Sequence, residues 1–357
     1  MALWLKEPFG NDKINPDHRQ QGILMEQRKT INYLKAFAII LVVVYHACNL
    51  TGVSYLSLTA IRFSYALRCI HVPLFILIAG YLCRRQPVWP FYVKKIRRIL
   101  VPFLFMSALK LIMNNVLPEG YSHGDGLLVQ LEDAFLCGQL YWFCYCLLIM
   151  FAFAPLLWDR KLLKAVLLVL VIGINLFLGI RDIHLTDWFQ LHNVLYYCPY
   201  FLLGMLLREL HFPEKFRQEE SHARTYRILL AAAALLFGGI SGYLIFFRFV
   251  IYCYPLDLLF GISVMCIAYL LVSYLAGLPF LLRYLDGAGR YSFQIMLLDP
   301  FLHAALYMLL SRFMRPGVVM VLLITLPDLI LSCLICRGVE KIPFLSDLLG
   351  LGQVQRN

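Results

Sequence analysis

The chain has 357 residues, of which 61% are hydrophobic and only 15% charged. A soluble domain carries roughly 45–50% apolar and about 25% charged residues. The composition therefore argues against a soluble enzyme, a disordered regulator or a nucleic-acid-binding module, and the net charge of +11 has to be explained within a membrane protein.

Ten apolar segments can be marked in chain order, at about 33–50, 64–82, 99–116, 139–157, 162–180, 189–207, 228–250, 256–278, 291–311 and 317–336. Each approaches the roughly 20 residues that an α-helix needs to cross a bilayer. The expected fold is all-α: a polytopic membrane helix bundle of about ten transmembrane helices. Twenty-four of the 32 Lys and Arg residues fall in the tails and alternate loops, against five in the other loops. This asymmetry predicts that both termini are cytoplasmic. The expected organisation is a cytoplasmic tail over 1–30, a transmembrane domain over 31–340 and a short cytoplasmic tail over 341–357. Most of the basic excess is then topological, facing the anionic lipid of the inner leaflet. The acidic segment 117–138, with Glu119, Asp125, Glu132 and Asp133, is expected as an outer loop, either bordering a substrate mouth or simply solvated.

Titratable side chains inside spans are expensive and mark functional candidates. The first span reads LKAFAIILVVVYHA (34–47). Lys35 and His46 are eleven residues apart, which returns nearly to the same helical face with a rise of about 16 Å. Lys35 is placed at the cytoplasmic edge, where a lysine can also simply snorkel, and His46 deep in the bilayer. The second span holds Arg68 and His71 at i, i+3, followed by Pro73. They either line a cavity or face headgroups. Asp299 and His303 stand at i, i+4 around Pro300 in the ninth span. Asp328 follows Pro327 in the tenth, and Asp257 opens the eighth. A structural ion pair is the favoured role for Asp257 and Asp328. The basic run Lys94, Lys95, Arg97 and Arg98 opens the third span and is either topogenic charge or an anion clamp. Trp142 is expected at the outer end of the fourth span, in the aromatic belt or stacked on a sugar. Cys333 and Cys336 form a CxxC with no second pair at metal spacing, so no metal is expected.

In order and spacing these segments resemble acyltransferase family 3, the integral-membrane O-acyltransferases. LKAFAIILVVVYHA is similar to that family's first helix with its Arg-x10-His signature. HVPLFILIAGYL (71–82) resembles the second helix of the fucose 4-O-acetylase-like branch, and YVKKIRRILVPFL (92–104) the basic segment leading into helix three. LYWFCYCLLIMFAFAPLL (140–157), YYCPYFLLGMLL (196–207) and YLDGAGRYSFQIMLLDPFL (284–302) resemble later helices. Two positions depart from the pattern: Lys35 replaces the signature arginine, and Met296 and Asp299 stand where the family often has Tyr and His.

The resemblance implies transfer of an acetyl or other short acyl group from acetyl-CoA to a sugar hydroxyl of a cell-surface polysaccharide or its lipid-linked precursor. It implies a bacterial plasma membrane, with acyl-CoA, a carbohydrate acceptor and membrane lipid as partners and no nucleic acid. In that reading His46 is the catalytic base, and Lys35 steers a donor phosphate or orients the site. Lys94, Lys95, Arg97 and Arg98 bind the donor. Arg68, His71 and Trp142 contact substrate. The competing reading is a polytopic transporter or exporter of a saccharide or small solute, and a third is a non-catalytic envelope subunit.

Overall fold

The computed structural model describes residues 16–116, 126–138, 140–186, 188–210, 212, 220–248, 253–275 and 279–352. Every regular element among them is helical. In chain order these are α1 (Pro16–Leu50), α2 (Leu58–Tyr81), α3 (Val88–Lys95), α4 (Val101–Val116), α5 (Leu127–Glu132), α6 (Trp142–Leu157), α7 (Lys161–Ile180), α8 (Leu191–Glu209), α9 (Glu220–Phe246), α10 (Tyr254–Leu275), α11 (Pro279–Arg290), α12 (Ser292–Leu310), α13 (Val318–Val339) and α14 (Pro343–Leu348). The expected all-α membrane bundle is what the chain forms.

The described residues of all ten apolar segments are largely helical, but a count of about ten spans is not established. Among the described residues, seven helices are long and apolar enough to cross a membrane: Gln27–Leu50, Leu58–Tyr81, Lys161–Ile180, Arg224–Phe246, Tyr254–Leu275, Ser292–Leu310 and Val318–Val339. An eighth crossing results if Leu127–Cys137 and Trp142–Leu157, bent by 42°, form one broken span. The shortfall has a physical reason. α6 has 16 residues, about 24 Å of helix, less than the roughly 30 Å hydrocarbon core, and α4 has 16 residues counted apart from the π-helical turn that precedes it. α8 is 19 residues long but carries His192, Asn193 and three tyrosines, which dilute its apolarity.

α1 and α2 form the centre, with α8, α10, α11, α12 and α13 packed around them. The main core gathers Ile39 and Val43 of α1, Leu74 and Ile76 of α2, Cys144 and Phe151 of α6, Tyr200 and Phe201 of α8, and Ile295 and Leu297 of α12. Glycine sets how closely α2 and α8 approach. A β-carbon at Gly80 would lie 2.1 Å from the carbonyl oxygen of Phe201, and one at Gly204 2.1 Å from that of Leu77. Small residues at crossings are the usual device for close packing in a bilayer, where apolar burial gives no driving force between helices. Gly204→Ala has only backbone to displace and is expected to cost about 1–3 kcal/mol, read as a lower thermal midpoint of the purified protein in detergent.

α3 and α4 are joined without a break by a π-helical turn at Ile96–Leu100. Of the basic run predicted at the start of the third span, Arg97 and Arg98 lie on this turn and Lys94 and Lys95 close α3 just before it; π-turns often mark functional positions. Lys35 lies close enough to Arg98 and Asp286 to interact electrostatically. At the other end of the sequence, Gly350 packs on the Arg98 backbone, Gln294 Nε2 donates to the Leu349 carbonyl at 3.0 Å, and Leu351 is fully buried. The Lys35 region of α1 and the close of the described chain therefore share one end of the bundle, hereafter the basic end.

Candidate active site

His46 lies at the last turn but one of α1. Its Nδ1 meets Asp299 Oδ2 of α12 in an ion pair and hydrogen bond. The Asp299 side chain is 1% exposed, whereas that of His46 is 41% exposed. A carboxylate therefore grips one ring nitrogen from inside the bundle, while the rest of the imidazole is partly exposed. Among the described residues, no hydrogen bond engages His46 Nε2.

Asp299 has a second partner. The His303 Nδ1 atom lies 2.6 Å from Asp299 Oδ1 and 2.9 Å from Asp328 Oδ2 of α13. The same nitrogen is 3.1 Å from the Asp299 carbonyl oxygen one turn back. One N–H thus faces three oxygens. It aligns with the carbonyl, and Asp299 Oδ1 and Asp328 Oδ2 are left without an aligned donor. Ser332 steadies Asp328 by donating to Oδ1 at 3.0 Å. The rings of His46 and His303 stand edge to face with centroids 6.4 Å apart. The result is a continuous polar chain, His46–Asp299–His303–Asp328, joining α1, α12 and α13. At the onset of α6, Tyr141 donates to the Leu297 carbonyl at 2.9 Å, two residues before Asp299, and so fixes α12.

Asp299, His303 and Asp328 also bring their ligand-type atoms within 4.8 Å of one another. Two carboxylates and an imidazole are a donor set able to take a divalent cation. In the sequence Asp299 and His303 stand at i, i+4, but Asp328 comes from another helix, so spacing alone does not bring the three together.

Sequence reasoning placed Arg68, His71 and Trp142 near substrate; in the structure His71 lies within electrostatic reach of His46 and Arg68, and Trp142 connects to Arg68 through Tyr197. His71 is buried, with its ring 4.9 Å from that of Tyr45. Its Nδ1 is 2.6 Å from the Leu67 carbonyl oxygen. A carbonyl only accepts, so Nδ1 carries the proton, and in the neutral ring Nε2 offers a lone pair rather than a donor. Arg68 lies against Tyr196 and Tyr197. The Trp142 ring stacks on Tyr197 at 5.4 Å with 24° between the planes. Behind this cluster Asp257 accepts hydrogen bonds from Tyr65 and, at 2.5 Å, from Tyr196. The expected structural role of Asp257 becomes tyrosine anchoring rather than a simple ion pair.

Lys35 does not join this group. It sits at the basic end beside Asp286 and Arg98, eleven residues and about 16 Å of helix from His46. The remaining basic residues divide. Arg97 is exposed, and Lys94 and Arg98 are half-buried. Lys95 turns inward, its Nζ 3.4 Å from the Phe151 ring centroid and 5.4 Å from that of Phe91. Burial pulls the Lys95 ammonium down to about 8, while the ring face favours the charged form. Of the acidic segment, Glu119 and Asp125 lie outside the described residues; Glu132 accepts a hydrogen bond from the Trp188 indole at 3.0 Å.

A carboxylate-gripped imidazole in a membrane-embedded helical bundle is an arrangement able to take up and release a proton. The acyltransferase family 3 model, described as an acyltransferase domain, matches residues 28–337, nearly the whole chain. The chain belongs to this family and is a multi-pass membrane acyltransferase. Neither a curated protein nor a solved structure matches it.

Proposed function

We propose that the chain is an O-acyltransferase of the fucose 4-O-acetylase-like branch. It moves an acetyl or other short acyl group from acyl-CoA to a sugar hydroxyl of a cell-surface polysaccharide or its lipid-linked precursor, at a bacterial plasma membrane. The observation that carries this reading is the grip of buried Asp299 on Nδ1 of an otherwise accessible His46.

An alcohol is a weak nucleophile and needs a positioned base. With Nδ1–H held by Asp299, the Nε2 lone pair of His46 takes the proton of the acceptor hydroxyl. The oxygen attacks the thioester carbonyl, and the tetrahedral intermediate carries an oxyanion. Its collapse breaks the carbon–sulfur bond, forms the ester and releases the coenzyme A thiolate. The thiolate takes the proton back from the imidazolium, so the enzyme ends as it began. Asp299 stabilises the imidazolium between the two transfers. Arg68 supplies positive charge for the oxyanion, and the Trp142–Tyr197 pair offers an aromatic face to a sugar ring.

The donor is a polyanion with a slim arm. In this reading its phosphates dock at the basic end on Lys94, Arg97, Arg98 and Lys35, and the arm spans the about 16 Å from Lys35 to His46. Lys95, engaged with Phe151, contributes field rather than contact. Purified protein in lipid, supplied with labelled acetyl-CoA and candidate saccharides, should form an acylated saccharide. Solute uptake into vesicles with no ester formed would instead favour the transporter. Replacing Lys94 and Arg98 together by glutamine is expected to weaken donor binding about 10–100-fold, with little change in turnover at saturating donor; unaltered donor affinity would remove the clamp.

A further inference from the structure

We infer that the chain binds an anionic phospholipid at the basic end of the bundle, with its phosphate in a cleft formed by Arg28, Lys29 and Lys35 and one acyl chain in an adjoining apolar cavity. The inference goes beyond the catalytic reading: its cleft adjoins the proposed donor site and shares Lys35 with it, and the closing titration separates lipid from donor.

The cavity has a volume of about 280 Å³ and lies between α1, α2, α8, α9 and α10, with Leu34, Leu77, Leu203, Leu230, Ile262 and Tyr269 in its wall. Its accessible surface is apolar, although Gln27 and Thr30 also line it. A sugar or a nucleotide would leave its hydroxyls or phosphates unpaired there, at a cost that an aliphatic chain does not incur. α9 forms one side, and its spanning part, Arg224–Phe246, is among the least covered in the bundle. Leu229, Leu235 and Leu236 are exposed on it. The cavity therefore adjoins the lipid phase.

The cleft has a volume of about 340 Å³ and is open. Arg28, Lys29 and Lys35 line it together with Asn32 and Asp286. Asp286 already accepts the Asn32 amide at 2.7 Å, and three cations against one carboxylate leave a positive surplus for a phosphodiester. Ile31 lines both spaces, so head and tail sites meet at one residue of α1. The arrangement is that of a membrane amphiphile: charge at the surface and chain directed inward.

α1 contributes to the cavity only as far as Leu34, but α2 lines it up to Leu74, one turn from His71, so the acyl donor is the competing occupant that the titration separates from a phospholipid.

The test uses the full chain in mild detergent, followed by native mass spectrometry during titration with phosphatidylglycerol, phosphatidylcholine of the same chains, and palmitoyl-CoA. The expected result is one retained phosphatidylglycerol, bound at least tenfold more tightly than phosphatidylcholine. Arg28→Gln with Lys29→Gln, both at exposed positions, should bring phosphatidylglycerol down to the phosphatidylcholine level. Leu230→Trp, which fills the cavity, should weaken both lipids. Ile262→Phe serves the same purpose should the tryptophan prevent folding. Equal binding of the two lipids by the wild type would overturn the inference, as would phosphatidylglycerol binding unchanged in both the charge and the cavity variants. Displacement of phosphatidylglycerol by palmitoyl-CoA, with the same dependence on Arg28, Lys29 and Leu230, would also overturn it and assign the site to the donor.

Discussion

His46→Ala is expected to lower acyl transfer about 10²–10⁴-fold, the usual contribution of a positioned general base, with donor binding retained. The expectation rests on geometry. His46 is the member of the polar chain that combines a buried partner with an accessible ring. His303 is buried, with its Nδ1 crowded by three oxygens, and His71 is buried with its Nδ1 tied to its own helix. Neither is placed to replace the lost base. The fold should tolerate the change, since the side chain is partly exposed and polar contacts between membrane helices contribute on average well under 2 kcal/mol. Transfer measured from labelled acyl-CoA, with helicity followed by circular dichroism, separates loss of chemistry from loss of structure.

Asp299→Asn should be the second most damaging substitution for transfer, with a loss of about 10²–10³-fold. Asparagine keeps the shape but removes the negative charge that offsets the imidazolium, and it can present a donor to Nδ1 and so favour the wrong tautomer. It also disturbs the contact with His303. Breaking a buried charged pair by removing one partner can cost as much as about 3–5 kcal/mol in soluble proteins, but the weaker membrane values make a modest fall in thermal midpoint the expectation. The rate loss should therefore far exceed anything explained by unfolded protein. A fall in midpoint with turnover per folded molecule unchanged would make Asp299 purely structural.

The fold was largely legible in the sequence because long apolar segments must be helices when no water is present to satisfy the backbone. His46 was legible for a related reason: a titratable ring within LKAFAIILVVVYHA stands out against hydrocarbon. Its partner was not. Asp299 is 253 residues away, and helical periodicity specifies a face of one helix, never the neighbour it meets. A signal did exist. Asp299 precedes Pro300 and Asp328 follows Pro327, two acids beside prolines in adjacent apolar helices. A carboxylate in such a segment needs a partner, and His46, unpartnered within its own helix, was available. The same position breaks the family's usual late-helix pattern, and Asp299 reaches the first-helix histidine from it. The inward turn of Lys95 was hidden for the same reason as the pairing, since the run Lys94–Arg98 reads as uniformly basic until the ring of Phe151 arrives from α6.

The central claim is that Asp299 acts on the reaction through His46. Transfer rates of the wild type, His46→Ala, Asp299→Asn and the double variant, each at saturating acyl-CoA and normalised to folded protein, test it most directly. Residues that work as a unit are strongly non-additive. Adding Asp299→Asn to His46→Ala should therefore cost no more than about twofold. A double variant slowed by the full product of the two single losses would mean that the carboxylate and the imidazole act independently, and it would contradict the account.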